Sequence, residues 1–371
     1  MKKISALLII CFLTILITNA NDGTFYMSGN QLIPITETDI EVKKEILKIR
    51  KISPGLIEVD VYYEFYNPVG QKSLIVGFEA MPPEGDVDVN VVHEKHPFMK
   101  NFTVEMNKRY LQHEVAIVPK KNYFQNNKFN SYSEEDIIQK MLEGNYLSDY
   151  LYVYYFNATF EPGLDIIRHT YTFNISGSVD LGLYFNYVLT AANRWANGQI
   201  DDFTLIIDMG EFETYHINST FFSKPAEWKI DGKGKYSQVS SDENYMFDLP
   251  AVKFHIINGK ITFSKMNFRP DGELFLYTGF FYGYSDEPFS YKTDYLPLAI
   301  RNQTALSEPA DEMSKKVLRN LPFARRGFVF KTTEIQKYYE TMVDWYIPDT
   351  NYTGTLESLT QEEKDWIERF K

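Results

Sequence analysis

Two consecutive runs of alternating aromatic residues constrain this chain more than any other stretch. In Leu151–Phe160, Tyr152, Tyr154, Phe156, Ala158 and Phe160 fall on one side, and Leu151, Val153, Tyr155, Asn157 and Thr159 on the other. A period of two marks an extended strand, and rings at every second position give it at least one buried face. Glu161-Pro162-Gly163 follows as a turn, with proline presetting φ and glycine free to adopt positive values. The chain then resumes with Ile167, His169, Tyr171, Phe173 and Ile175 inward, and Arg168, Thr170, Thr172 and Asn174 outward. This spacing predicts a hairpin that forms the spine of an antiparallel sheet packed on one face.

A chain of 371 residues with 44% hydrophobic content, including 28 Phe and 27 Tyr, has ample material for real cores, and its length suits two or three domains. Lys2-Lys3, an apolar run from about Ile4 to Ile17, and Thr18-Asn19-Ala20 ahead of Asn21 have the three parts of a secretory signal peptide, so residues 1–20 read as a leader cleaved after Ala20. The apolar run is shorter than the ~18 residues that a membrane span needs, so no transmembrane segment is expected after cleavage. Cys11, the only cysteine, lies inside the leader, so the mature chain is cysteine-free and must depend on its cores rather than on disulfides or thiolate chemistry. Loss of the two leader lysines leaves 36 basic against 50 acidic residues, a net −14, which disfavours nucleic acid and anionic membrane surfaces as partners.

The fold class is mainly β: antiparallel β-sandwich-like domains followed by a small three-helix C-terminal module. Residues 21–120 read as a first β-sandwich-like domain. Within it Ile57, Val59, Val61, Tyr63 and Phe65 alternate with Glu58, Asp60, Tyr62, Glu64 and Tyr66, and Ser53-Pro54-Gly55 turns back to the preceding strand. Val87, Val89 and Val91 continue the alternation. Residues 121–149 read as a loop and a short helix, with Ser133 capping Glu134-Glu135-Asp136. Residues 150–300 form the second β-rich domain, in which Asn258-Gly259 has the signature of a two-residue hairpin and Gly232-Lys233-Gly234-Lys235 that of a turn. Whether the two β segments make one domain or two is left open by the sequence.

Residues 309–371 change to helical character. Asp311–Asn320 forms the first helix, Thr333 with Gln336 fits a capping box, and Thr360 with Glu363 repeats it before Trp366, Ile367 and Phe370. Pro322 removes a donor and predicts a kink in the first helix. The run Val317-Leu318-Arg319-Asn320, Phe323 to Phe330, Tyr338-Tyr339, Trp345-Tyr346 and Pro348 resembles the YARHG domain, a small extracytoplasmic module of bacteria, with Arg326 where that motif's name has histidine. Further upstream, Arg168-His169-Thr170-Tyr171, Tyr187-Val188-Leu189-Thr190, Trp195, Gly198-Gln199-Ile200 and Asp202-Phe203-Thr204-Leu205 resemble an uncharacterised family of exported bacterial β-rich domains. The two resemblances imply a bacterial protein of the periplasm or the secreted fraction.

Candidate chemistry is sparse. His93, His96 and His113 form no recognised metal signature, because a three-residue spacing suits a helix and the flanking valines read as strand, so no metal and no cofactor are assigned. His169 lies on the apolar face and reads as a core histidine bonded to a backbone carbonyl. No nucleophile elbow, phosphate-binding loop or dinucleotide fingerprint occurs, and no catalytic residues are assigned. The leading ligand-binding candidates are Arg325 and Arg326 with Tyr338, Trp345 and Tyr346, since arginine beside aromatic rings suits a carboxylate, a phosphate or a sugar ring. The sequence therefore points to a non-catalytic cell-envelope protein that binds a cell-wall or surface ligand or an envelope protein. Its rival is an extracytoplasmic hydrolase of glycans or peptides. The leader is checked by N-terminal sequencing of the exported protein, which is expected to begin at Asn21; a chain still starting at Met1 contradicts the assignment.

Overall fold

The computed structural model describes residues 32–36, 38–81, 95–142, 150–174, 181–244, 247–279, 287–300 and 308–371. The leader, Val87, Val89, Val91 and His93 lie outside them. In chain order the strands are β1 (Leu32–Pro34), β2 (Glu41–Ser53), β3 (Leu56–Asn67), β4 (Lys72–Ala80), β5 (Met99–Met106), β6 (Arg109–Tyr110), β7 (Glu114–Pro119), β8 (Phe124–Gln125) and β9 (Lys128–Phe129). After helix α1 (Glu134–Leu142) come β10 (Tyr150–Phe160), β11 (Gly163–Asn174), β12 (Leu181–Tyr187), β13 (Ile200–Asp208), β14 (Glu213–Asn218), β15 (Trp228–Val239), β16 (Ala251–Phe268) and β17 (Leu274–Gly279). The chain ends in α2 (Glu312–Ala324), α3 (Thr333–Met342) and α4 (Gln361–Arg369). The fold is mainly β with a small set of C-terminal helices, as the alternation and the capping residues predict. Among the described residues no helix is long and apolar enough to cross a membrane.

The longest sheet runs β12-β17-β14-β16-β13-β2-β3-β11-β5-β6, with β15 added beside β16. A smaller sheet has the order β1-β4-β10-β7. Both sheets draw strands from residues 32–119 and from residues 150–279, so the two sequence segments interleave. The seam is the pairing of β2 with β13, which is parallel and sets Leu47 beside Leu205 and Ile49 beside Ile207. One apolar cluster, containing Leu47, Val61, Phe78, Tyr171, Phe203, Phe254 and Leu276, fills the space between the sheets.

The turn at Glu161-Pro162-Gly163 does not close a hairpin. β10 pairs with β4 and β7 in the smaller sheet, whereas β11 pairs with β3 and β5 in the larger one. Gly163, at φ +106°, makes the corner between them. β10 has two apolar faces: Leu151 and Val153 join Ala116 and Val118 on one side, and Tyr152, Tyr154 and Phe156 enter the main core on the other. A strand buried on both faces needs partners on both edges. The inward rings therefore meet across the core, with Phe102 of β5 at 4.8 Å from Tyr154 and Phe78 of β4 at 5.3 Å from Tyr171.

Asn258-Gly259 likewise turns no hairpin, because β16 runs through it from Ala251 to Phe268. Gly259 pairs with Gly232, and a Cβ on either would sit within 2.3 Å of the opposing carbonyl oxygen, so the glycines serve a close backbone crossing inside two long strands. Gly232 to Lys235 are correspondingly strand, not turn. Helix α1 begins as expected, with the Ser133 hydroxyl accepting from the Asp136 amide at 3.1 Å.

His169 is fully buried as predicted, but neither ring nitrogen has a hydrogen-bond partner, which corrects the expected bond to a carbonyl. Its neighbours are the rings of Tyr63, Phe78, Phe102 and Tyr171, and burial among them lowers its pKa to about 3. His96 sits behind β10. Its Nε2–H donates to the Met81 carbonyl at 2.9 Å while Nδ1 accepts from the Phe98 and Met99 amides, and burial lowers its pKa to about 4. Burial, helped by Lys253 and His255, also lowers His216 to about 4. All three values fall below the ~6.5 of an unfolded histidine, so acid protonates the unfolded chain first. Stability is then full above about pH 6.5 and falls by about 1.4 kcal/mol per pH unit for each such histidine as the pH drops toward 4. Urea unfolding at stepped pH is expected to show that steep loss, and His169→Leu to remove about 1.4 kcal/mol per pH unit of it while costing little at neutral pH, because the unpartnered imidazole disappears. A midpoint that stays flat down to about pH 4 contradicts this account.

Candidate functional site

The five sequence-predicted ligand residues lie in the helical module, whose local structure explains where they point. Asp311 caps α2 by accepting from the Ser314 amide at 2.7 Å, and Pro322 stands near the C-terminal end of the helix, which continues through it to Ala324. Thr360 and Glu363 form the expected capping box on α4. The box expected on α3 is absent: Thr332 is the cap residue, and Gln336 instead accepts from the Phe330 amide at 2.7 Å. Between the helices Val317, Leu318, Leu321, Tyr339, Trp345, Trp366 and Phe370 form a core that also takes in Leu296, Leu298 and Ile300 from the preceding segment and Ile257 from β16.

Tyr338, Trp345 and Tyr346 belong to this core and are buried. Their polar atoms turn to backbone carbonyls: Tyr338 Oη donates to Asp294 at 3.1 Å, Trp345 Nε1 to Leu296 at 2.7 Å and Tyr346 Oη to Phe328 at 2.7 Å. Such bonds satisfy the one polar handle of each ring and leave its apolar body to pack.

Arg325 and Arg326 converge on a residue that the sequence marked only as a cap. Glu363 accepts from Arg325 Nη1 at 2.9 Å, from both terminal nitrogens of Arg326, the Nη2 bond being 2.8 Å, and from the Thr360 amide at 2.9 Å. Arg326 also donates to the Pro322 carbonyl at 3.0 Å. Burial alone would raise the Glu363 carboxyl, but the Arg326 hydrogen bonds, the Thr360 amide and both guanidinium charges outweigh it and hold the group below its usual range. Over this pair lies Phe212 from the β13–β14 turn, its ring 4.0 Å from the Arg325 guanidinium carbon and 4.9 Å from that of Arg326. Phe212 takes φ +56°, an unusual state for a bulky residue.

A second ionic point lies at Asp344. Its carboxylate accepts from Lys253 and from the Tyr295 hydroxyl at 2.6 Å and lies 3.1 Å from His255 Nε2, while His255 Nδ1 meets the Thr214 hydroxyl at 2.9 Å. Burial would raise Asp344, and the hydrogen bonds and charges of His255 and Lys253 drive it far below the ordinary carboxylate range. Lys233 reaches Asp349 at 3.0 Å, and Lys235 reaches the Tyr346 carbonyl at 3.1 Å. The module thus rests on the basic face of β15 and β16 through its acids and carbonyls. Phe212, Lys253, His255 and Asp344 carry this seam, and sequence reasoning passed over them because partners so far apart in the chain leave no local spacing. A buried Arg-Arg pair does demand a carboxylate, and that demand was the available signal for Glu363.

Breaking a buried pair by removing one charge costs about 3–5 kcal/mol. Glu363→Gln is therefore expected to lower the unfolding midpoint of the module strongly, read by the fluorescence of Trp345 and Trp366. Arg326→Lys, which keeps the charge and loses the bidentate contact, is expected to cost about 1 kcal/mol. An unchanged midpoint for Glu363→Gln overturns this reading of the pair.

No curated protein matches the chain. Among solved structures, a Legionella pneumophila protein provisionally named nutrient binding aligns at 18% identity with a TM-score of 0.48, over 95% of this chain and 100% of its own. An M1 zinc metallopeptidase from Deinococcus radiodurans aligns at 11% identity with a TM-score of 0.27, over 76% of this chain and 53% of its own. Baculovirus P35 aligns at 10% identity with a TM-score of 0.25, over 65% and 97%. The C-terminal residues 295–371 match the YARHG domain, and the match opens at Tyr295, the residue whose hydroxyl reaches Asp344.

Proposed function

We propose that this chain is a non-catalytic extracytoplasmic protein of a bacterial cell envelope that binds a surface ligand or partner through its β body, with the YARHG domain as a fixed end piece. In this reading Arg325, Arg326, Tyr338, Trp345 and Tyr346 contribute by holding the module together and seating it, since their polar groups are engaged inside the protein. The carrying observation is the outward face of the long sheet, where β3 and β11 set Tyr66 beside Leu164 and Glu64 beside Ile166. Leu164 is 63% exposed, Ile166 40% and Tyr66 36%, and Tyr110 on the neighbouring edge is 74% exposed. Apolar residues gathered on one open face of an otherwise acidic surface favour an interaction site over four unrelated exposures.

Leu164→Ser with Ile166→Ser tests this directly. Leu164 is mostly in solvent and Ile166 about two-fifths so, and unfolding is expected to shift by only about 1 kcal/mol. Cosedimentation of the purified protein with envelope fragments of its own host is expected to weaken at least about tenfold, the loss of two well-placed apolar contacts. Undiminished sedimentation of the folded double variant defeats the assignment of this face.

A further inference from the structure

The same face carries a more specific message about ligand chemistry, which rests on the reading just given. Its rows cross six hydrogen-bonded strands, β16, β13, β2, β3, β11 and β5, a width of about 24 Å at the usual strand spacing. In one row Asp202 binds Lys44 at 2.6 Å, and Glu64 of β3 pairs with Lys44 in register. Two residues on, Ser264, Thr204, Ile46, Tyr62, Arg168 and Glu105 stand in sequence across the strands. The next row holds Lys48, Asp60, Thr170 and Thr103, with Arg168 gripping Asp60 through two bonds of 2.7 and 2.9 Å and Lys48 at 3.7 Å from it. Arg50 meets Glu58 at 2.7 Å beyond that.

Two properties follow. The basic groups of the face are paired within it: Lys43, Lys44, Lys48, Arg50 and Arg168 stand among Glu41, Asp201, Asp202, Glu58, Asp60, Glu64 and Glu105, so no free positive charge is presented and only a small acidic excess remains. Between the ion pairs lie hydroxyl and amide rungs, Thr204 with Ser264 at 3.3 Å, Thr103 with Thr170 at 2.8 Å and Asn101 with Thr172 at 3.2 Å. A charged ligand would have to compete with pairs already made, and an anion would find no free positive charge. An uncharged chain of hydroxyl groups has neither difficulty. It exchanges hydrogen bonds with the rungs and the paired side chains, and it sets its apolar ring faces on Tyr66, Tyr110, Leu164 and Ile166.

We infer that the outward face of β3, β11 and β5, with the rows of β2 and β13 beside it, binds a neutral glycan. The test uses the full mature chain on a printed array of neutral oligosaccharides together with polyanions such as heparin and polyglutamate. Retention by neutral members is expected, with affinities that change less than about twofold between about 0.05 and 0.5 M NaCl. Tyr66→Ala and Tyr110→Ala are each expected to weaken it about tenfold, the scale of a lost aromatic contact. The midpoint of Tyr110→Ala should stay in place, because that ring is 74% exposed, whereas Tyr66→Ala, at 36% exposure and with Lys43 over its ring, should lower it modestly. Retention only by the polyanions, with strong salt dependence, overturns the proposal, as does retention by no member of the array. Self-association of the chain that disappears in the same two variants overturns it as well, since a second copy would then be the occupant. If the array fails while Leu164→Ser with Ile166→Ser still abolishes cosedimentation with envelope fragments, the face remains a binding site and only its assignment to neutral glycans falls.

Discussion

The parallel pairing of β2 with β13 is the contact on which the rest of the molecule depends. Parallel neighbours cannot be joined by a tight turn, and here all of residues 54–199 intervene, including three of the four strands of the smaller sheet and the corner at Gly163. Once formed, the pairing sets Leu47, Ile49, Leu205 and Ile207 side by side on the inner face, and Lys44, Ile46 and Lys48 beside Asp202, Thr204 and Ile206 on the outer. The inner row closes the common core. The outer row makes one continuous surface out of strands that the sequence supplies in two groups.

The helical module obeys a different constraint. Modules of this size bury too little apolar surface to be firmly stable alone, and this one borrows Ile257 from the sheet while lending acids and carbonyls to its lysines. Buried ion pairs contribute little net stability once desolvation is counted, yet they penalise any arrangement that leaves one partner alone. Glu363, buried between two arginines, therefore fixes how the module is arranged more than how tightly it holds. Phe212 adds a shape constraint, its ring covering both guanidinium groups while its backbone is in the left-handed region.

Much of this architecture is legible in the sequence where periodicity is long. The alternation at Ile57–Phe65, the helix expected from Asp311 and the capping signals at Ser133 and Thr360 each appear as elements close to the expected place. What was not legible is pairing. Tyr152 to Phe160 and Ile167 to Phe173 show the same alternation whether they lie side by side in one sheet or face each other across a core, and only the second apolar face of β10, with Leu151 and Val153, hints at the latter. Asn258-Gly259 misleads for a related reason: the pair that permits a tight turn also permits a close strand crossing, and the partner that decides, Gly232, is distant in the chain. The candidate site follows the same rule. Arginine and aromatic composition singled out Arg325, Arg326, Tyr338, Trp345 and Tyr346 as ligand candidates, whereas their direction was set by Glu363 and by three backbone carbonyls that no spacing announces.

Native-state hydrogen exchange read by mass spectrometry tests the central claim, that the two sequence segments form one cooperative β body through β2 and β13. Amides of β2, β3 and β13 are predicted to exchange together in the slowest class, because opening any one of them exposes the shared core. Separate exchange of residues 41–106 and 200–279, each with its own opening energy, would contradict it.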